Sequence, residues 1–183
     1  MSLKNLVVHP NAEFLDEEIC LIKDFLPQEV LSRLLDIISA SEAGDWEKYA
    51  NKGGQWEGRV LTFDDDIVKA TVSNLVETVF KDKLYDIKCE VIRRNRDGQD
   101  LLVHYDNQAQ VTCEHGLVLY LNDDYEGGEI FYPERQKSYK PLKNSLVIHS
   151  ASKEYAHGVK AVSGGTRYYI TLWTFYNNDE KGF

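Results

Sequence analysis

Apolar residues recur at helical spacing twice in the first half of the chain. In "LPQEVLSRLLDIISAS", Val30, Leu31, Leu34, Leu35 and Ile38 fall on one stripe. Pro27 suits the first turn, where its missing N–H is one that a helix leaves unpaired in any case. In "DDDIVKATVSNLVETVF", Ile67, Val68, Val72, Leu75, Val76 and Val79 repeat the pattern behind aspartates that suit the positive end of a helix dipole. Between the two lies "ANKGGQWEGRVLTF", in which Gly53, Gly54 and Gly58 flank Trp56 without a helical period, so this segment is expected to be a flexible loop. From Tyr85 onward the texture changes to short runs rich in Val, Ile, Tyr and Thr: "YDIKCEVIRR", "LLVHYD", "HGLVLYLN", "GEIFYP", "NSLVIHS", "HGVKAV" and "RYYITLWTFY". Closely spaced strands with turn residues between them suggest an antiparallel sandwich or barrel. The expected fold is α+β, a jelly roll with helices packed outside it. Residues about 1–84 would form the helical support and about 85–176 the core of a single domain covering 1–183.

Composition narrows the picture. With 183 residues, 43% hydrophobic and 28% charged, the chain fits one globular domain with a real core. No apolar run approaches the span of a bilayer. The segment "MSLKNLVVHPNAEF" carries one lysine and a brief apolar patch, which does not read as a secretory signal, so a cytoplasmic location is expected. Cys20, Cys89 and Cys113 are an odd number without Cys-x-x-Cys spacing and read as reduced core thiols. A formal net charge of −9 repels phosphate backbones and disfavours nucleic acid as a partner, the local patch "RRNR" at 93–96 notwithstanding.

The chemistry begins at "LLVHYDNQAQ". On a strand, His104 and Asp106 point to one face and Tyr105 to the other, which offers an imidazole and a carboxylate together. A third ligand would be His149 or His157, and spacing favours His157. It opens "HGVKAV", and after the turn "SGG" Arg167 opens the next run. If those runs pair as a hairpin, a cation sits close behind the metal. Two imidazoles and one carboxylate form the facial set of non-haem Fe(II) oxygenases, although zinc could bind the same atoms. Arg167 favours iron, because its guanidinium fork is suited to gripping the carboxylate of a keto acid.

An ordered set of motifs resembles the 2-oxoglutarate- and Fe(II)-dependent dioxygenases, specifically their prolyl 4-hydroxylase-like branch. "HYD" resembles the family's His-x-Asp. "LVLYLNDDYEGGEIFYPE" resembles its Tyr-Leu-Asn stretch followed by Gly-Gly-Glu and Phe-x-Pro, and "HGVKAVSGGTRYYITLW" its distal His, its basic residue and its terminal Trp strand. The likeness is loose over residues 18–176 and close over 101–173.

The resemblance implies a double-stranded β-helix, with His104, Asp106 and His157 holding Fe(II) and Arg167 binding the distal carboxylate of 2-oxoglutarate. It implies that Tyr120 bonds the same carboxylate and that Trp173 lines the site. Trp56 and Arg59, on the glycine-flanked segment Asn51–Thr62, fall where relatives have a mobile substrate loop. His149 stands where relatives carry an apolar aromatic residue and is read as structural. One departure is evident: relatives often carry a tyrosine shortly before the proximal histidine, whereas this chain offers Arg94, Asn95 or Arg96.

The implied reaction consumes O2 and 2-oxoglutarate, releases succinate and CO2, and hydroxylates a C–H bond, with ascorbate as reductant. A prolyl residue of a protein or peptide is the expected target. The alternatives are the same machinery acting on a free amino acid, another small molecule or a nucleobase, and a binding jelly roll without catalysis. Retention of all three ligands and Arg167 argues against the last.

Overall fold

The computed structural model describes residues 2–50, 57–81, 87, 89–107 and 113–175. Both amphipathic stripes form helices. Helix α1 (Leu3–Leu6) is a single turn; α2 (Gln28–Ala40) starts just after Pro27, its N-cap; and α3 (Asp66–Val79) starts at Asp65, whose side chain accepts from the Val68 N–H at 3.1 Å. Val30, Leu31 and Leu34 of α2 and Val68, Val72, Val76 and Val79 of α3 are buried. Each such side chain contributes roughly 1.5–3 kcal/mol by leaving water.

The helices cover one face of an eight-stranded antiparallel sheet. Its order is β1 (Ala12–Asp16), β2 (Ile19–Ile22), β11 (Ser145–Ser150), β7 (Cys113–Tyr120), β14 (Arg167–Phe175), β5 (Val91–Asn95), β4 (Glu57–Thr62), β3 (Trp46–Ala50). A four-stranded sheet of β10 (Lys137–Tyr139), β9 (Ile130–Tyr132), β12 (His157–Val159) and β6 (Leu101–His104) lies opposite its other face. A short pair, β8 (Glu126–Gly127) with β13 (Val162–Ser163), completes the described strands. The two-residue period sorts the side chains. Leu117, Leu119, Leu146, Ile148, Ile170 and Leu172 pack with the helices, while Tyr120, Val147 and Tyr169 form a separate cluster on the inner face. This is the jelly roll with outer helices expected from the strand pattern.

Two expectations change. The first 84 residues supply more than helices, because β1 to β4 make up half of the large sheet. The described part of the segment read as a loop is largely strand: Ala50 ends β3 and Glu57–Thr62 form β4. Trp46 pairs with Leu61, and β4 continues onto β5 with Arg59 opposite Arg94. The glycines signalled a break, but "RVLT" next to them is a strand-forming run that extends once β5 is beside it. Of the proposed lid, residues 51–56, including Trp56, lie outside the described residues.

The N-terminal strands are tied to the small sheet by one polar knot. Arg135 donates to both carboxylate oxygens of Asp16, at 2.8 and 3.2 Å, its guanidinium lies 4.7 Å from the Tyr155 ring, and the Tyr155 hydroxyl donates to Asp16 at 3.1 Å. The Arg135 bond lowers the Asp16 pKa against the opposing effect of burial. A carboxylate with a lowered folded-state pKa contributes stability above its unfolded pKa and loses it as pH falls through the folded value. Asp16→Asn is therefore expected to cost about 1 kcal/mol at pH 7. The gap should close in acid, as the pH falls through the lowered folded-state value of Asp16. Thermal unfolding of both proteins from neutral to acid pH measures this.

Candidate metal centre

Strand register builds the site in rows across the inner face of the large sheet. His149, Gly116 and Trp173 stand side by side on β11, β7 and β14; Val147, Val118 and Thr171 form the next row, and Ser145, Tyr120 and Tyr169 the one after, with Arg93 of β5 beside Tyr169. Arg167 pairs with Asn95 beyond them. From the small sheet, His157 on β12 stands directly opposite His104 on β6. The space between the sheets is a cavity of about 390 Å³, lined by these residues other than Val147, Ser145 and Asn95, and by Tyr105, Asp106 and Ile130 among others. That volume suits a small ligand.

His104, Asp106 and His157 each offer a ligand atom, all within 4.8 Å of one another. The imidazole tautomers follow from their backbone partners. Nδ1 of His104 lies 2.9 Å from the Leu102 carbonyl and Nδ1 of His157 lies 3.2 Å from the Tyr155 carbonyl. A carbonyl only accepts, so each Nδ1 carries a proton and Nε2 is the nitrogen left for a ligand. Burial lowers the His157 pKa well below its ordinary value and keeps the ring neutral, the form that ligates. Burial opposes charge on Asp106, but the hydrogen bond from His149 together with the charge interactions of His149, His157 and His104 outweighs it and holds the carboxyl below the usual carboxylate range. The arrangement offers two imidazoles and one carboxylate.

At the other end of the cavity Arg167 is only 2% exposed, yet among the described residues no carboxylate pairs with it. One of its terminal nitrogens donates to Asn95 Oδ1 at 2.9 Å, and the other to the Gly128 carbonyl at 3.4 Å. Its Nε, the Tyr120 hydroxyl and the Thr171 hydroxyl are buried without a hydrogen-bond partner among the described residues. Burial raises the Tyr120 pKa, so its hydroxyl keeps a proton to donate. A buried cation beside idle donors costs free energy unless an anionic ligand satisfies them.

Comparison with known proteins agrees with this geometry. The family model described as the 2OG-Fe(II) oxygenase superfamily matches residues 89–175, a stretch that contains all three metal-site residues and Arg167. Over that stretch, just under half of the chain, the protein is similar to this superfamily. In members of the 2OG-Fe(II) oxygenase superfamily the name itself calls for Fe(II) and 2-oxoglutarate. The donor set fits the iron, and the unpartnered groups around Arg167 fit a dicarboxylate. Among curated relatives, human prolyl 3-hydroxylase 2 is 38% identical over 70 residues, and human prolyl 3-hydroxylase 3 is 39% identical over 70 residues. Each alignment covers 36% of this chain, which spans about a tenth of those relatives (10%).

Among solved structures, a Trichoplax adhaerens prolyl hydroxylase in complex with a hypoxia inducible factor peptide fragment matches with a TM-score of 0.70 at 22% identity, over 90% of this chain and 84% of that one. A Pseudomonas putida prolyl-4-hydroxylase matches with a TM-score of 0.68 at 19% identity, over 86% and 91%. At that identity the structures support the fold.

The structure alters several details read from the sequence. His157 and Arg167 do not share a hairpin: β12 pairs with β6 and β9 in the small sheet, while β14 lies in the large one, so the two residues face each other across the cavity. Strand β6 ends at His104, and the chain bends at Asp106. Strict alternation therefore fails there, and Tyr105 lines the cavity as well. Tyr120 and Trp173 line it as expected. Arg59 does not. It shares the helix-side face with Arg94 and donates to the Trp46 carbonyl at 3.2 Å. Asn95 is the residue of the "RRNR" patch that reaches Arg167.

His149 was read as structural, yet its Nε2 lies 3.1 Å from Asp106 Oδ2. The signal in the sequence was parity, since His149 alternates with Ile148 on a strand whose odd positions face inward. His104→Ala, Asp106→Ala and His157→Ala should each weaken Mn(II) binding at least about a hundredfold, because three ligands share the ion. His115→Ala, which removes a ring bonded to Thr174 on the helix side, should leave Mn(II) binding within about threefold of wild type. Calorimetric titration of metal-free protein reads both, with circular dichroism to confirm folding.

Proposed function

We propose that this protein is a 2-oxoglutarate- and Fe(II)-dependent dioxygenase that hydroxylates a prolyl residue in a protein or peptide, releasing succinate and CO2, with ascorbate as external reductant. The observation that carries this reading is the placement of His104, Asp106 and His157 across one cavity from the buried Arg167, with which no carboxylate pairs among the described residues. The printed names of several relatives, prolyl 3-hydroxylases and prolyl hydroxylases, support the substrate class.

Each side chain then has a task. His104, Asp106 and His157 hold the metal on one side, which leaves positions open toward the cavity. Iron bound there supplies the oxygen-activating chemistry. Arg167, held by Asn95 and the Gly128 carbonyl, grips the distal carboxylate with its fork, and the Tyr120 hydroxyl donates to the same group. Tyr169 stacks 4.2 Å from the guanidinium and keeps it flat. Val118, Ile130, Val147 and Val159 exclude water, so that each polar contact acts in a low-dielectric space.

Incubation with Fe(II), 2-oxoglutarate, ascorbate and proline-containing peptides should give hydroxyproline and succinate in equal amounts. The 38% identity to prolyl 3-hydroxylases makes C3 as well as C4 a position to assign in the product. Succinate release with no hydroxylated peptide would remove the substrate class but not the co-substrate. Arg167→Ala should raise the KM for 2-oxoglutarate at least about tenfold, the loss of a charge-assisted pair of roughly 1.5–3 kcal/mol. Arg167→Lys should do so less, since it keeps charge without the fork, and Tyr120→Phe least. Steady-state kinetics on the three variants checks the order.

A further inference from the structure

We infer that His149 is a positioning residue for the metal site: it occupies one oxygen of Asp106 so that the other alone is presented to the ion. The inference rests on the reading of His104, Asp106 and His157 as ligands and assigns a role to a fourth histidine beside them.

The hydrogen-bond geometry carries the argument. His149 Nε2 lies 3.1 Å from Asp106 Oδ2, and a carboxylate oxygen accepts, so Nε2 is the donor. The other ring nitrogen, Nδ1, lies 3.0 Å from the hydroxyl of Tyr132, which is fully buried. The chain of contacts runs from the Tyr132 hydroxyl to His149 Nδ1, then from His149 Nε2–H to Asp106 Oδ2. His149 thus donates from Nε2, whereas His104 and His157 donate from Nδ1 to backbone carbonyls. Its ring lies only 4.1 Å from that of His157, yet its Nδ1 faces Tyr132 and not the ligand cluster.

Space for the contact is made by Gly116. It stands beside His149 in the sheet, and a Cβ there would collide with both Asp106 Oδ2 and His149 Nε2. The bend carrying Asp106 is fixed next to it by the Asn107 N–H, which donates to the Ala151 carbonyl at 3.0 Å. The remaining oxygen, Oδ1, lies 4.0 Å from His104 Nε2, on the side where the ligand atoms converge. A carboxylate with both oxygens free can take a metal through both and fill a position that a bidentate keto acid or oxygen needs. His149 prevents that by occupying Oδ2.

Three readouts test the role. In Zn(II)-loaded protein with ¹⁵N-labelled histidine, NMR should find Nε2–H on His149 and Nδ1–H on His104 and His157. Nδ1–H on His149 would overturn the inference without any variant having to fold. In calorimetric titration with Mn(II) and no 2-oxoglutarate, His149→Phe should bind about ten- to a hundredfold more weakly than wild type. His149→Gln, whose amide N–H can replace Nε2–H, should bind within about threefold of wild type.

Wild-type affinity in a folded His149→Phe overturns the role. Equal loss in His149→Phe and Asp106→Ala also overturns it, because His149 would then be a ligand itself. Retention of Mn(II) by Asp106→Ala would instead sink the ligand reading. A failure confined to His149 leaves that reading standing.

Discussion

The centre depends on one cross-strand pair, His104 of β6 opposite His157 of β12 in an antiparallel register. Directly opposed residues bring their side chains within contact distance, and the two imidazole centroids lie 4.6 Å apart. A slip of one residue would turn either ring to the other face of the small sheet and dismantle the site. The register is held from the far side as well, by β9, where Phe131 pairs with Gly158 and Ile130 with Val159. Gly158 is needed at that point, since a side chain there would strike the Phe131 ring and the Leu101 carbonyl. A packing constraint on the residue next to His157, set by the neighbouring strand, thus decides where the ligand atoms meet.

The cavity is stabilised less than its walls. The helices and the outer face of the large sheet bury Leu, Ile and Val almost completely, whereas the inner face leaves the Arg167 Nε and the Tyr120 and Thr171 hydroxyls without partners. Each idle buried donor costs on the order of 1–3 kcal/mol. That cost is recovered when an anionic ligand arrives, which makes the same groups a source of affinity. The Asp16 knot shows the opposite use of charge: its partners are all present, and it fastens the N-terminal strands to the small sheet.

The helices, most strands and the candidacy of His104, Asp106, His157 and Arg167 were legible in the sequence because each rests on a local period or on ordered motifs. What was not legible depends on register between distant strands. Nothing near His157 says that its strand pairs with β6 and leaves Arg167 to the other sheet, since that choice follows from the crossover between the sheets. The hairpin of β3 and β4 was hidden by the glycines between them. His149 was set aside because a single imidazole inside an apolar run has no local feature that separates packing from chemistry; only Gly116 beside it and Asp106 above it do that.

The central claim is that one ligand spans both ends of the cavity, with the metal site and Arg167 acting on the same molecule. Calorimetric titration of 2-oxoglutarate into wild-type protein, metal-free and loaded with Mn(II), tests this directly. One site per chain is predicted, with affinity at least about tenfold higher when the metal is present, because the keto acid end then gains a partner. Equal affinity with and without metal would mean that the carboxylate pocket and the histidine cluster serve different ligands, and would contradict the account.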